Sequence, residues 1–338
     1  MVWLGWYAAR LVFPENIFAR ITVPAFVAFM PQTIFYSINN DVLSPLCFGL
    51  VFVCLLKWPS SDVPSPRLAT ATGLALAATF LAKTTNLPLL TLAAVFIAVR
   101  IRNLIKGGKI RASLWPPVCL FLCAALPIAS WVAWCKVHFG SFLGSAATAQ
   151  ILGWTPKPFS QWWNHPIFTP RGFGIFLFGN LATFWQGEMM WHGKPLYTPI
   201  GNLFYEWGTI ILVVRGVVHL NKAAPSQRFA LWFALASILM MFALVGFLSI
   251  IYDFRDCVYP SRAHPYFTSG RLMLGMLIPF LLVMVYGLDR ILGRFGNATK
   301  FVTLAVLLLS ILALELATNW PVFSSQYNWF HIGTGTDV

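Results

Sequence analysis

The chain is poor in charge, and poorest in acidic residues. Only 10% of its 338 residues are charged, against about 25% in soluble domains, and 10 Asp and Glu stand against 23 Lys and Arg. Apolar residues make up 58%, and the mean hydropathy is +0.73. This composition excludes a soluble enzyme, a disordered chain, a coiled coil and a disulfide scaffold. It predicts one membrane-embedded body over residues 1–338.

The cysteines and histidines do not show the spacing of a metal site or a clear disulfide framework. The six Cys lie mostly inside apolar stretches, without the spacing of metal ligands. Only Cys135 and Cys257 reach the predicted outer side, where a bridge between them is left open. The six His are scattered along the chain. The sequence therefore predicts no metal site and no cofactor.

Long apolar stretches predict an all-α, polytopic integral membrane protein with about nine full spans and an N-terminal half span. The full spans are expected at 17–36, 42–58, 68–82, 87–101, 114–134, 200–220, 229–252, 271–289 and 301–318. Residues 1–13 look like the last half of another span, so the chain is expected to open inside a membrane helix. We predict a break at Lys83, because burying a lysine in hydrocarbon costs several kcal/mol.

The basic residues predict the orientation. The loop 100–111 carries five Lys and Arg and no acid, which places it in the cytoplasm. Alternation of the spans then puts fifteen basic residues on the cytoplasmic side and eight outside, four of them in one long loop. Most of the net charge of +13 thus forms a cytoplasmic rim beside anionic lipid. Nucleic-acid binding is not predicted.

The stretch 135–199 is predicted to be a long extracytoplasmic loop with interfacial or re-entrant helices. Its segment 173–185 is too apolar for a water-exposed loop. Tryptophans crowd this region, at 131, 134, 154, 162, 163, 185 and 191. Two interpretations stay open: an interfacial aromatic belt, or a groove that binds a lipid tail or stacks on sugar rings.

Three other outer features carry polar chemistry. The turn 39–41, Asn-Asn-Asp, is typical of a helix N-cap or of a functional site. Lys83 either snorkels to the membrane interface or binds a ligand. Arg271 opens a predicted helix, where it opposes the macrodipole unless it faces an anion such as phosphate. Cations and carboxylates beside an aromatic groove indicate a substrate that is part lipid and part phosphate, such as a polyprenyl-phosphate sugar.

Five segments resemble the bacterial GT-C glycosyltransferases, most closely the family 39-like enzymes that use lipid-linked sugars. Residues 20–56, which contain FMPQTIFYSINNDVL, resemble their central part, and YAARLVFPEN resembles the end of their second span. LAATFLAKTTNLPLL resembles their Lys-bearing outer hairpin, ATFWQGEMMW a segment of their long outer loop, and TSGRLMLGMLIPFL the start of a late span.

The resemblance implies a GT-C-like body in the bacterial inner membrane, with an extracytoplasmic site and a polyprenyl-phosphate sugar donor. It implies inverting transfer to a lipid, glycan or protein acceptor, with a general base on an acidic outer loop that is missing from this chain. Asp41 matches an outer acidic position and is the catalytic candidate. Lys83 and Arg271 match donor-phosphate contacts. The other substrate-binding candidates are Asn40, Glu188 and Trp185.

Two hypotheses compete with a transferase. A transporter, flippase or polysaccharide polymerase-like protein also needs outer cations and aromatic residues. A non-catalytic membrane subunit would depend on another chain for the missing acidic loop.

Overall fold

The computed structural model describes residues 1–36, 39–60, 63–107, 114–143, 149–255, 257, 259–325 and 327, and these residues are mainly helical. The helices are α1 (Val2–Val12), α2 (Ile17–Ala28), α3 (Leu43–Lys57), α4 (Pro66–Ala82), α5 (Leu87–Lys106), α6 (Trp115–Phe139), α7 (Pro170–Gln186), α8 (Pro199–His219), α9 (Pro225–Ile251), α10 (Leu277–Ile291) and α11 (Asn297–Phe323). Two short antiparallel strand pairs join β1 (Thr155–Pro156) to β4 (Tyr252–Asp253), and β2 (Met190–Trp191) to β3 (Lys194–Pro195).

Seven helical segments within the described residues are long and apolar enough to cross a membrane. They are Asn40–Lys57, Thr84–Lys106, Trp115–Phe139, Pro199–Lys222, Pro225–Ile251, Gly270–Arg294 and Asn297–Phe323. The chain is therefore a helical protein of the multi-pass membrane type, as its composition predicted. Seven is fewer than the nine full spans expected from the sequence.

The shortfall comes mainly from the first part of the chain. The span expected at 17–36 is not one helix: α2 ends at Ala28, and a 3₁₀ turn follows at Thr33–Tyr36. Pro31 explains the stop, because proline lacks a backbone N–H and disfavours helical geometry in the residue before it. With 11, 12 and 17 residues, α1, α2 and α4 are all shorter than the roughly 20 residues of a full crossing.

The break predicted at Lys83 is present. Helix α4 ends at Ala82, Lys83 is extended, and a 3₁₀ turn at Thr84–Asn86 leads into α5. Asn86 is fully buried and fixes this turn, since its side chain donates to the carbonyl of Thr79 at 3.1 Å and accepts from Ser44 Oγ at 2.7 Å. The turn between α4 and α5 is thereby attached to the start of α3.

Helix α10 and the 3₁₀ turn before it, Gly270–Met276, lie at the centre of the protein. Almost all of their apolar side chains are buried, and α10 packs against α2, α8 and α9. Glycine makes the closest of these contacts: a Cβ on Gly287 would lie 1.8 Å from the carbonyl oxygen of Leu212, and one on Gly216 would lie 2.7 Å from that of Val283. Small residues of this kind let membrane helices approach closely.

Helix α7 covers the segment for which an interfacial or re-entrant helix was predicted. Thr169 caps its start by accepting from Gly172 N at 3.1 Å. Its buried face, which includes Phe176, Phe184 and Trp185, packs against the turn Gly270–Met276. The helix is thus an integral part of the core rather than a peripheral element. Its depth in the membrane stays a prediction.

The structure separates the predicted outer and cytoplasmic residues. Asp41 lies at the N-terminal end of α3 and Lys57 at its C-terminal end, roughly 24 Å apart for sixteen residues of helix. Asp289, predicted to be cytoplasmic, lies at the end of α10 and accepts from Lys300 Nζ at 2.7 Å and Asn16 Nδ2 at 2.9 Å. The two predicted faces therefore correspond to two ends of the helical body.

Candidate functional site

Four charged residues from four distant segments meet at one end of the body. Asp41 and Lys83 form an ion pair, and Arg271 Nε lies 3.2 Å from Glu188 Oε2. The pairs are close enough for Lys83 to interact electrostatically with Arg271 and Glu188. We call these residues the charged cluster. Its first and last members are 230 positions apart in sequence, and all four were candidates from the sequence.

The turn 39–41 acts largely as a cap. Asn39 Oδ1 accepts from the backbone N–H of Asp41 at 3.0 Å, and Asn40 Nδ2 donates to the carbonyl of Ala82 at 3.1 Å. Asn40 therefore joins the start of α3 to the end of α4, and its predicted role in substrate binding stays a prediction. Only 4% of the Asp41 side chain is exposed. The carboxylate of Asp41 is thus enclosed by its partner Lys83.

Lys83 is a buried cation, not a lysine that snorkels into water. Its side chain is 13% exposed, and burial lowers the pKa of Lys83, while the hydrogen bond and charge of Asp41 raise it. A buried ammonium group requires such a partner, because its loss of hydration is otherwise uncompensated. The net direction is a lowered pKa of Lys83, and Asp41 offsets part of the effect of burial.

Glu188 and Arg271 form the open half of the charged cluster. A quarter of the Glu188 side chain and about half of the Arg271 side chain are exposed. Ser269 Oγ joins them: it donates to Glu188 Oε2 at 2.7 Å and accepts from Arg271 Nε at 3.3 Å. Burial raises the pKa of Glu188, and Ser269, Arg271 and Lys83 oppose that rise. Of the two carboxylates in the cluster, that of Glu188 is the more exposed.

The backbone around Glu188 is held by contacts that sequence reasoning missed. Gln32 Nε2 donates to the carbonyls of Thr183 and Phe184, at 2.9 and 2.8 Å, which fixes the end of α7. Gly187 has a φ of +83°, and a Cβ there would lie 2.0 Å from Thr33 Oγ1. A glutamine in the apolar stretch after Pro31 was the available signal, since buried amides nearly always have partners.

The segment before Arg271 is fixed in the same way. Gly270 N donates to Thr183 Oγ1 at 2.8 Å, and that hydroxyl donates to the carbonyl of Thr268 at 2.5 Å. Tyr259 shares a hydrogen bond between hydroxyls with Thr268 and accepts from its backbone N–H at 3.2 Å. Thr183 thus joins α7 to the segment directly before Arg271.

Trp185 is buried in the core, three positions before Glu188 of the charged cluster. It is 3% exposed, its indole donates to Thr209 Oγ1 at 2.8 Å, and its ring stacks on Tyr205 with centroids 5.4 Å apart. Trp185 lines an apolar cavity of about 260 Å³. Other lining residues are Phe26, Leu203, Leu212, Met284, Leu307 and Ile311. Only two residues, Gln186 and Gly187, separate Trp185 of the cavity lining from Glu188 of the cluster.

The remaining tryptophans and cysteines do not join this site. Trp131, Trp134 and Trp163 are 40%, 43% and 67% exposed, and an interfacial aromatic belt requires exposed rings. Cys135 and Cys257 are free thiols. In the described ranges, no group of three or more His, Cys, Asp or Glu is arranged to hold a metal ion.

We predict that Ser269→Ala raises the pKa of Glu188 further. The Ser269 hydrogen bond stabilises the carboxylate and so lowers this pKa, against the effect of burial. The pH dependence of the protonated carboxyl band in infrared spectra, assigned by its loss in Glu188→Gln, measures the change. Ser310→Ala is the matched control, because that hydroxyl donates only to Val306 O in its own helix. An unchanged or lowered Glu188 pKa in Ser269→Ala contradicts the prediction.

Comparison with protein-family models, curated proteins and solved structures finds no match to this chain.

Proposed function

We propose that this protein transfers a sugar from a polyprenyl-phosphate donor to a lipid, glycan or protein acceptor, at the outer face of a bacterial inner membrane. The observation that carries the proposal is the convergence of Asp41, Lys83, Glu188 and Arg271. Their sequence segments resemble GT-C glycosyltransferases. The bias of Lys and Arg toward the opposite end supports an outward-facing cluster.

Two cations at this cluster suit a phosphate. Arg271 has a planar guanidinium group that binds phosphate oxygens in a bidentate manner, and Lys83 adds a point charge beside it. Loss of the sugar leaves a polyprenyl phosphate with an extra negative charge. Stabilisation of that leaving group by fixed cations is the main catalytic contribution of the site. The apolar cavity beside Trp185 is suited to part of the prenyl chain.

The resemblance implies a general base on a loop that is missing from this chain, and in this proposal Glu188 takes that role. Asp41, the catalytic candidate from the sequence, positions Lys83 instead. The acceptor hydroxyl oxygen attacks the anomeric carbon, the bond from that carbon to the phosphate oxygen breaks, and the hydroxyl proton passes to Glu188. Before the donor binds, Glu188 is paired with Arg271. A donor phosphate competes for Arg271, so donor binding frees the carboxylate for the acceptor. The raised pKa of Glu188, caused by burial, favours proton acceptance.

The test uses the purified chain in vesicles with a radiolabelled polyprenyl-phosphate sugar and a mixed set of lipid and glycan acceptors. We expect Lys83→Gln and Arg271→Gln to lower transfer about 100-fold or more, as the loss of a charge-stabilising donor does. Glu188→Gln should abolish transfer and keep donor binding. Arg171→Gln, an exposed cation at the start of α7, is the control and should transfer normally.

Each alternative has its own result. Movement of the lipid-linked sugar across the vesicle without cleavage of its phosphate bond favours a transporter or flippase. A chain that becomes active only with a co-purified partner is a subunit. A chain that neither binds nor uses the donor overturns the proposal.

A further inference from the structure

A second cleft lies at the opposite end of the body, where α1 meets α2. It has a volume of about 570 Å³ and is lined by Tyr7, Arg10, Leu11, Pro14 and Arg20. Two arginines in one cleft are unusual in a chain with 10% charged residues. The cleft is beside the C-terminal end of α3, because Lys57 Nζ lies 4.8 Å from the centre of the Tyr7 ring. It is thus remote from the charged cluster.

The cations of this cleft have no acidic partner among the described residues. The guanidinium of Arg10 lies over the Trp6 ring at 5.4 Å, and Arg20 Nη1 donates to the carbonyl of Pro14 at 3.2 Å. Lys57, over Tyr7, adds a third positive charge. Glu15 is exposed on the same turn and does not line the cleft. The cleft therefore carries a net positive charge and favours an anion.

The surface around the cleft is apolar. Leu11 lines the cleft and is exposed, and Trp3, Ile17 and Ile21 on α1 and α2 are exposed as well. Trp3 stacks on the lining residue Tyr7 with ring centroids 5.3 Å apart, so exposed apolar surface continues from the cleft along α1. In a membrane these side chains lie against hydrocarbon, so an anion in the cleft would have apolar surface directly beside it.

We propose that this cleft binds the phosphate headgroup of an anionic membrane phospholipid. Arg10 and Arg20 bind the phosphate, and the acyl chains lie along the exposed apolar face of α1 and α2. The cleft volume is within the range of small-ligand sites and suits a glycerophosphate headgroup. A free phosphate ion would use the same arginines but would gain nothing from the apolar face. This inference is independent of the proposed transferase activity.

The test is native mass spectrometry of the purified full chain with phosphatidylglycerol, and with phosphatidylcholine of the same chain length. We expect a preference for phosphatidylglycerol that falls roughly tenfold or more in the double variant Arg10→Gln/Arg20→Gln. The matched control is Arg102→Gln/Arg215→Gln, which removes two exposed arginines of the same predicted rim outside the cleft. It should keep the preference.

Two further measurements distinguish a lipid headgroup from a free phosphate ion and control for misfolding of the glutamine variant. Inorganic phosphate at millimolar concentration should not displace phosphatidylglycerol, and displacement would point to a free-anion site and overturn the proposal. Arg10→Lys/Arg20→Lys keeps the charge and should bind more lipid than the glutamine variant. Equal binding by those two variants, or an equal loss in the control pair, would also overturn it.

Discussion

Asp41→Asn should destabilise the protein by roughly 3–5 kcal/mol, because it leaves the ammonium group of Lys83 buried without a counter-ion. The two side chains are 4% and 13% exposed, so water cannot replace the lost partner. Lys83→Met should also destabilise the protein, because it leaves the carboxylate of Asp41 buried without a cation. The double variant Asp41→Asn/Lys83→Met should recover most of the stability, since two neutral side chains of similar size require no compensation. Chemical unfolding of the purified protein in one fixed detergent measures all three.

The matched control is Asp253→Asn. Asp253 pairs with Arg262 at 3.1 Å in a surface where both side chains are far more exposed, at 34% and 67%. Surface pairs of this kind contribute about 0–1 kcal/mol. If Asp41→Asn costs no more than Asp253→Asn, the Asp41–Lys83 pair is not the buried element that we describe.

The double variant also separates folding from chemistry. Its fold should be restored, but its donor binding should not, because the cation that is proposed to contact the phosphate is gone. Recovery of both stability and donor binding would assign Lys83 a purely structural role. If the double variant loses both stability and donor binding, only the stability measurement tests the Asp41–Lys83 pair.

The second large effect is expected for Gly270→Ala. A Cβ at Gly270 would lie 2.0 Å from the backbone nitrogen of Phe184 and 2.3 Å from its Cα. These are main-chain atoms in α7, so no flexible side chain can move aside. We expect a loss of about 1–3 kcal/mol or more, as for other overpacked sites. The substitution should also move Ser269 and Arg271 away from Glu188 and so abolish donor binding.

Gly174→Ala is the matched control in the same part of the protein. Gly174 lies within α7, and a Cβ there meets no atom within 4 Å. Alanine in an open helical position should stabilise the protein by up to about 1 kcal/mol. Thermal unfolding and donor binding of both variants give the comparison. A wild-type unfolding midpoint for Gly270→Ala would show that the two segments are not in such close contact.

Much of the fold could be predicted from the sequence, because single residues determine where helices end. Proline at position 31 and lysine at position 83 both mark chain breaks, because the first removes a backbone donor and the second cannot enter hydrocarbon. The length of α2 was nevertheless overestimated. Hydropathy measures how apolar a stretch is, but it does not show that the chain after Ala28 leaves the helix and forms a 3₁₀ turn at Thr33–Tyr36, with Met30 and Ile34 buried.

The sequence could not predict which role each residue of the candidate site has. Asp41 and Glu188 look alike as outer acids, yet Asp41 is enclosed with Lys83, and Glu188 is open beside Arg271. Trp185 resembles the exposed tryptophans nearby, yet it is buried on Tyr205. Exposure depends on which helices pack together, and no local pattern encodes that.

By itself, the sequence determined that this protein is helical and of the multi-pass membrane type, and which few polar residues gather at each end. Composition suffices for this, because hydrocarbon excludes charge and requires every backbone group to be paired within its own segment. Tertiary structure alone decided which charges pair, which carboxylate is open, and that Arg10 and Arg20 share a cleft. Those properties arise from contacts between segments that are distant in sequence, such as Glu188 and Arg271, which lie 83 positions apart, through packing at glycines and single hydrogen bonds.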